Sequence, residues 1–136
     1  MHKKYGQSLV EFALVLPILL LLMIVIIDIG IIFHTQMVVS NAAWEGARAG
    51  ATINDPVRGD QEIIGAVHNA AYGLDTSRLL IDINPTQDDP PRNQPFPSPR
   101  GSNLTVSVQY HVELIVPSIT IPITGRGFSS MEYQNP

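Results

Sequence analysis

The chain has 136 residues, no cysteine and a formal charge of −4, which leaves room for one small domain beside a membrane segment. Basic residues are scattered rather than clustered, which argues against a nucleic-acid partner, whose phosphates need neutralising. Without thiols there is no disulfide framework, Cys-ligated zinc site or thiol nucleophile.

A short basic start, His2-Lys3-Lys4, precedes a run from Phe12 to Phe33 in which Asp28 is the one charged or polar side chain. As a helix this run is about 33 Å long, against roughly 30 Å for a bilayer's hydrocarbon core. Lipid offers no hydrogen-bond partners, so the backbone must satisfy itself as a helix. Pro17 removes one of its internal bonds. Lys3 and Lys4 lie before the run and no Lys or Arg follows until Arg48. The positive-inside bias therefore keeps the N-terminus cytoplasmic and sends the rest across. A cleaved secretory signal is the competing reading, but this run exceeds the usual h-region of about 7–15 residues and Asp28 interrupts it.

The helix continues past the apolar run, since His34 to Ala51 contains no proline. Small residues recur every four positions on two adjacent stripes, Ala42, Gly46, Gly50 and Ala43, Ala47, Ala51. Such stripes let helix backbones approach closely, and the two glycines would otherwise only weaken the helix, so the stripe is expected to pack against another helix. Glu45 and Arg48, three apart, are placed to pair on an exposed face.

Past Asn54-Asp55-Pro56, which stops the helix, apolar residues at helical spacing from Ile63 to Leu74 predict a second helix over about Asp60–Tyr72, with Gly73 at its stop. Arg78 to Asn84 reads as a strand with Leu79, Ile81 and Ile83 on one face. Residues 85–101, with six prolines, read as a surface loop. The clearest strand runs from Leu104 to Leu114, alternating Leu104, Val106, Val108, Tyr110, Val112 and Leu114 with polar residues. Ile119, Ile121 and Ile123 form a shorter run in which Pro122 predicts an edge, and Phe128 to Tyr133 are expected to add a last strand. The fold class is α+β: a long N-terminal transmembrane helix, then one helix and a three- to four-stranded antiparallel sheet. The expected division is a basic leader at 1–6, the spanning and projecting helix at 7–53, and an extracytoplasmic α+β domain at 54–136.

Gly6-Gln7-Ser8-Leu9-Val10-Glu11-Phe12, Ala13-Leu14-Val15-Leu16-Pro17, Asp28-Ile29-Gly30 and Asn41-Ala42-Ala43-Trp44-Glu45-Gly46-Ala47-Arg48 make residues 4–51 resemble the TadE/TadG-like pseudopilins of tight-adherence pilus systems. The resemblance implies cleavage by a prepilin peptidase after Gly6, making Gln7 the new N-terminus and Glu11 the acid at mature position five. It implies other pilin-like subunits and the pilus assembly machinery as partners. An acid at the lipid boundary is expensive unless partnered, and a neighbouring subunit's new α-amino group suits Glu11. Asp28 lies about 25 Å further along the helix, where the family commonly has Glu, and is expected to make an inter-helix contact during assembly. The assembly residues so read are Glu11, Asp28, Ala42, Gly46 and Gly50.

No catalytic constellation emerges. His34, His68 and His111 fall on three different elements, Ser129-Ser130 has no nucleophile elbow, and Asp88-Asp89 sits in a Pro-rich loop. Arg58-Gly59-Asp60 matches an adhesion tripeptide that arises easily by chance. No enzyme, cofactor, metal or small-molecule substrate is therefore expected. The reading is a structural pilin-like subunit of the cytoplasmic membrane, or extracellular in a pilus. The alternative is a permanently anchored binding module.

Overall fold

A computed structural model describes residues 3–52, 59–94, 101–115 and 119–132. Its dominant element is α1, Lys3–Ala51, a single helix that runs through Pro17. From Leu9 to Val25 its large apolar side chains are exposed on every side, Ile24 alone being half-buried. A helix apolar all round needs an apolar surrounding, and α1 is long and apolar enough to cross a membrane. Burial begins at Asp28 and becomes regular from Thr35 onward.

The stop expected at Asn54-Asp55-Pro56 lies outside the described residues. Helix α2, Gly59–Ala70, buries Ile63 and Val67, and its last turn is extended by Ala71 N–H donating to Val67 O at 2.9 Å. It ends two residues before the expected Tyr72, and Gly73 takes the left-handed φ of +83° that a side chain would resist. A 3-10 turn, Thr76–Arg78, follows. Asp75 caps it, accepting from Ser77 N at 3.0 Å and Ser77 Oγ at 2.7 Å. The Ser77 hydroxyl, then its amide, hold the Asp75 carboxyl below its ordinary value. A depressed carboxyl stabilises the fold at neutral pH, and that contribution fades as pH falls through the carboxylate range.

The strands are β1 (Leu80–Asn84), β2 (Asn103–Glu113) and β3 (Thr120–Ser130), antiparallel in the order β1-β2-β3. The pattern around β2 places Leu104, Val106, Val108 and Val112 inward and buried, as alternation requires. The runs expected as separate strands at Ile119–Ile123 and Phe128–Tyr133 are corrected by the structure. Ile121 to Ser130 belong to one strand, paired with β2 from Glu113↔Thr120 to Asn103↔Ser130, and Tyr133 lies outside the described residues. Gly125 and Gly127 break the strand-like composition between the two runs, but β2 pairing and α1 packing hold the strand together across them. β3 is an edge strand, the position that Pro122 requires.

Both helices lie on one face of the sheet. Val39, Ala43 and Ala47 of α1, Ile63 and Val67 of α2, and Leu104, Val106 and Val108 of β2 form one buried cluster. The core therefore draws on both sides of residues 53–54, and the C-terminal half of α1 packs as part of the same unit as α2 and the sheet.

Residues 85–94 are tied down rather than free. Arg92, buried, donates to Asp60 Oδ1 at 2.5 Å and to Pro85 O at 2.8 Å, while Gln87 N donates to Asp60 Oδ2 at 3.1 Å. This pair and the exposed Arg78–Glu113 bridge are the ion pairs among the described residues, so the expected Glu45–Arg48 pair is not formed. Losing one member of a buried pair strands the other. Arg92→Ala is expected to cost about 3 kcal/mol, read as a lowered melting temperature of the full chain in detergent; an unchanged transition would show the pair to be neutral.

Candidate functional site on the long helix

Three levels of α1 carry the residues singled out from the sequence. At the first, Gly6 and Gln7 lie within the helix. Glu11 is exposed and accepts from Gln7 Nε2 at 3.3 Å, one helical turn away. Among the described residues, none of the head reaches this level, and Glu11 and its neighbours on α1 are exposed.

At the second level is Asp28. Its side chain is 6% exposed, and its Oδ1 accepts from the backbone N–H of Ile115 at 3.0 Å. The contact expected with a neighbouring helix is occupied here from within the chain: the connection between β2 and β3 bends onto α1 and places an amide on the carboxylate. Both groups gain. A backbone N–H at the edge of an apolar region is costly if unmatched, and an acid there is costly unless hydrogen-bonded.

The third level is the small-residue stripe, Ala42, Gly46 and Gly50 with Ala43 and Ala47, all buried against the chain's own sheet and α2. A Cβ built on Gly46 would stand 2.5 Å from Val67 Cγ2 and 3.2 Å from Val106 Cγ1; one on Gly50 would stand 2.9 Å from Ile63 Cδ1 and overlap Leu104. The stripe does permit close approach, but in this chain the approaching elements are α2 and β2. Two residues absent from the sequence reading complete the contact. Gly125 and Gly127 of β3 face α1 so closely that a Cβ on Gly125 would lie 2.7 Å from the Ser40 Cα and the Val39 carbonyl oxygen, and one on Gly127 would overlap the Ala43 carbonyl. Their signal was available: Gly-x-Gly inside an alternating run marks close backbone approach. Hydrogen bonds run along the same seam, with Ser129 Oγ donating to Ala47 O at 2.6 Å, Gln36 Nε2 to Thr124 O at 3.2 Å and Glu132 N to Ala51 O at 2.9 Å.

Beside this seam lie two shallow grooves. One, of about 380 Å³, is bordered by His34, Met37, Val38, Asn41 and Tyr72. The other, of about 320 Å³, is lined by His34 of α1 and His111 of β2 together with Arg78, Tyr110 and Glu113, so two histidines far apart in sequence border one groove. Arg78 there is engaged by Glu113 at 2.7 Å, whose hydrogen bond raises the guanidinium's pKa further above its ordinary value. No group of three or more potential metal ligands occurs among the described residues. In the Arg-Gly-Asp triplet, Arg58 lies outside the described residues, and both carboxylate oxygens of Asp60 accept hydrogen bonds, from Arg92 and from the Gln87 amide. Asp89 Oδ2 accepts from Thr86 Oγ1 at 2.6 Å, closing a turn in its loop.

The three levels, an open acid near the start of a span, a buried acid at its far end and a small-residue face beyond, occupy one continuous segment, and residues 6–48 match the family of TadE-like proteins. The N-terminal segment is TadE-like. The match covers about a third of the chain, the span and most of the α1 face beneath the sheet, and leaves α2 and the strands outside it. No curated protein and no solved structure matches the chain. A TadE-like segment joined to a helix able to cross a membrane points to a Tad pilus-associated protein with a membrane anchor.

Two substitutions probe this site. Asp28→Ala deprives the Ile115 N–H of its acceptor and is expected to cost about 1–3 kcal/mol and to accelerate exchange of that amide, whereas Asp28→Asn, which keeps an acceptor, stays closer to the parent. Equal exchange in all three proteins would show the contact to be incidental. Gly127→Val drives a branched side chain into the α1 backbone; a loss of at least about 2 kcal/mol, with new protease cleavage in β3, is expected, and a parent-like digestion pattern would contradict the packing described.

Proposed function

We propose that the protein is a pilin-like structural subunit of a tight-adherence-type pilus. It is held in the cytoplasmic membrane by α1 with its N-terminus inside and its α+β head outside. Prepilin-type cleavage after Gly6 makes Gln7 the first residue, and the spans of neighbouring subunits then pack side by side. The observation that carries this reading is the bare span of the TadE-like segment. The chain's own head leaves the apolar surface from Leu9 to Ile27 almost entirely uncovered. That surface is free for lipid and for other helices, and Glu11 lies on its inner end, within reach of a neighbour's α-amino group.

The partners that follow are the membrane, other pilin-like subunits, the prepilin peptidase and the pilus assembly machinery. Glu11 and the bare span serve assembly in this reading, and Asp28 joins them only where a neighbour's span meets the far end. The stripe of Ala42, Gly46 and Gly50 has a prior engagement, because bulk there must first displace the chain's own α2 and β2. This internal engagement also favours a second reading, a permanently anchored binding module whose head is braced on α1 and never enters a filament.

The mass of the N-terminal peptide from native membranes separates the two: a start at Gln7 is expected for the pilus subunit, a retained leader for the static anchor. Glu11→Ala is expected to leave membrane insertion intact and to lower incorporation into the pilus by about tenfold, equivalent to about 1.4 kcal/mol per contact. Undiminished incorporation would remove Glu11 from the assembly mechanism.

A further inference from the structure

The connection between β2 and β3 is more apolar than a turn in water requires. Turns favour Gly, Pro, Asn, Asp and Ser, a preference that Pro117 and Ser118 meet. The other four of residues 114–119, Leu-Ile-Val-Pro-Ser-Ile, are large aliphatics, and the segment has no charge. Ile115 is 60% exposed and Ile119 52% exposed, although both flank the hydrogen bond from Leu114 N to Ile119 O, 3.1 Å, that closes the hairpin. Among the described residues, nothing in the head covers them.

Their height along α1 is fixed by the bond from Ile115 N to Asp28. The twenty residues from Leu9 to Asp28 measure about 30 Å as a helix, the thickness of a hydrocarbon core. If the core begins at Leu9, its outer boundary falls at Asp28 and at the hairpin. If it begins after Glu11, at Phe12, the boundary falls some 4–5 Å beyond Asp28 and the hairpin dips below it. On either setting the isoleucines meet lipid. Past this level α1 itself remains apolar, with Ile29 47% exposed and Phe33 67% exposed. Irregular backbone does not survive facing the hydrocarbon interior, but it does at the interface, and here the Ile115 amide is already satisfied by Asp28.

We infer that the β2–β3 hairpin is a second, shallow membrane anchor, with Ile115 and Ile119 inserted in the outer-leaflet interface and the head lying against the bilayer rather than standing clear of it. This rests on the membrane-spanning role of α1, and the test separates the two.

Single-tryptophan versions of the full chain are made in a Trp44→Phe background, one with Ile119→Trp and one with Leu20→Trp. Both are reconstituted in phosphatidylcholine vesicles brominated in the upper part of their acyl chains, at low protein-to-lipid ratio. The Ile119→Trp emission is expected to fall at least about twofold relative to unbrominated vesicles and to resist aqueous iodide. Emission indifferent to bromine but quenched by iodide would place the hairpin in water and overturn the inference. Indifference to both would mean that protein, such as a second copy, covers it, and would overturn the inference equally. In either case bromine quenching of Leu20→Trp would leave the span intact, whereas its absence would bring down the membrane-spanning reading as well.

Discussion

Contact between the backbone of β3 and the small-residue face of α1 governs how everything beyond Asp28 is arranged. Gly125 and Gly127 leave no room for a β-carbon against Ser40 and Ala43, so strand and helix meet nearly backbone to backbone. That closeness brings Ser129 onto the Ala47 carbonyl and Gln36 onto Thr124. On the neighbouring strand β2 it lets Leu104 and Val106 reach Gly50 and Gly46. Dispersion attraction falls steeply with separation, and a helix faced with larger side chains would hold the sheet off and lose the seam.

One helix thus serves two surroundings. From Phe12 to Ile27 it is apolar around its whole circumference and almost entirely exposed; its second half is amphipathic and completes a core with α2 and the sheet. The transition falls at Asp28, where an acid meets an amide from the far end of the sheet. A rigid rod joining a lipid-facing half to a head-facing half couples the two mechanically, because the head cannot turn about α1 without breaking the seam. Of the grooves beside it, the second is bordered by both His34 and His111, but its charged groups, Arg78 and Glu113, already satisfy each other.

The elements themselves were legible. The span follows from an uninterrupted apolar run, β2 from strict alternation, α2 from spacing of four and three, and the edge position of β3 from Pro122. Less legible was β3's length, because two glycines in mid-strand resemble a break until the helix they face is known. The stripe at Ala42, Gly46 and Gly50 was recognised as a close-packing surface, but nothing local says whether the approaching backbone belongs to the same chain. Asp28 posed the same ambiguity. An acid in an apolar span announces a partner without naming it.

Composition and periodicity by themselves determined the anchor-like helix and the α+β order of the rest, and the motifs between Gly6 and Arg48 carried the resemblance to TadE-like proteins, since each depends on residues near one another in sequence. Tertiary structure alone decided that the C-terminal half of α1 packs with α2 and the sheet, that Asp28 receives Ile115, and that Arg92 holds the proline-rich segment to α2. Those outcomes join residues 21 to 87 positions apart, such as Asp28 with Ile115, Asp60 with Arg92 and Gly46 with Val67 and Val106. Such pairings depend on the sum of packing over the whole core, which no window of sequence contains.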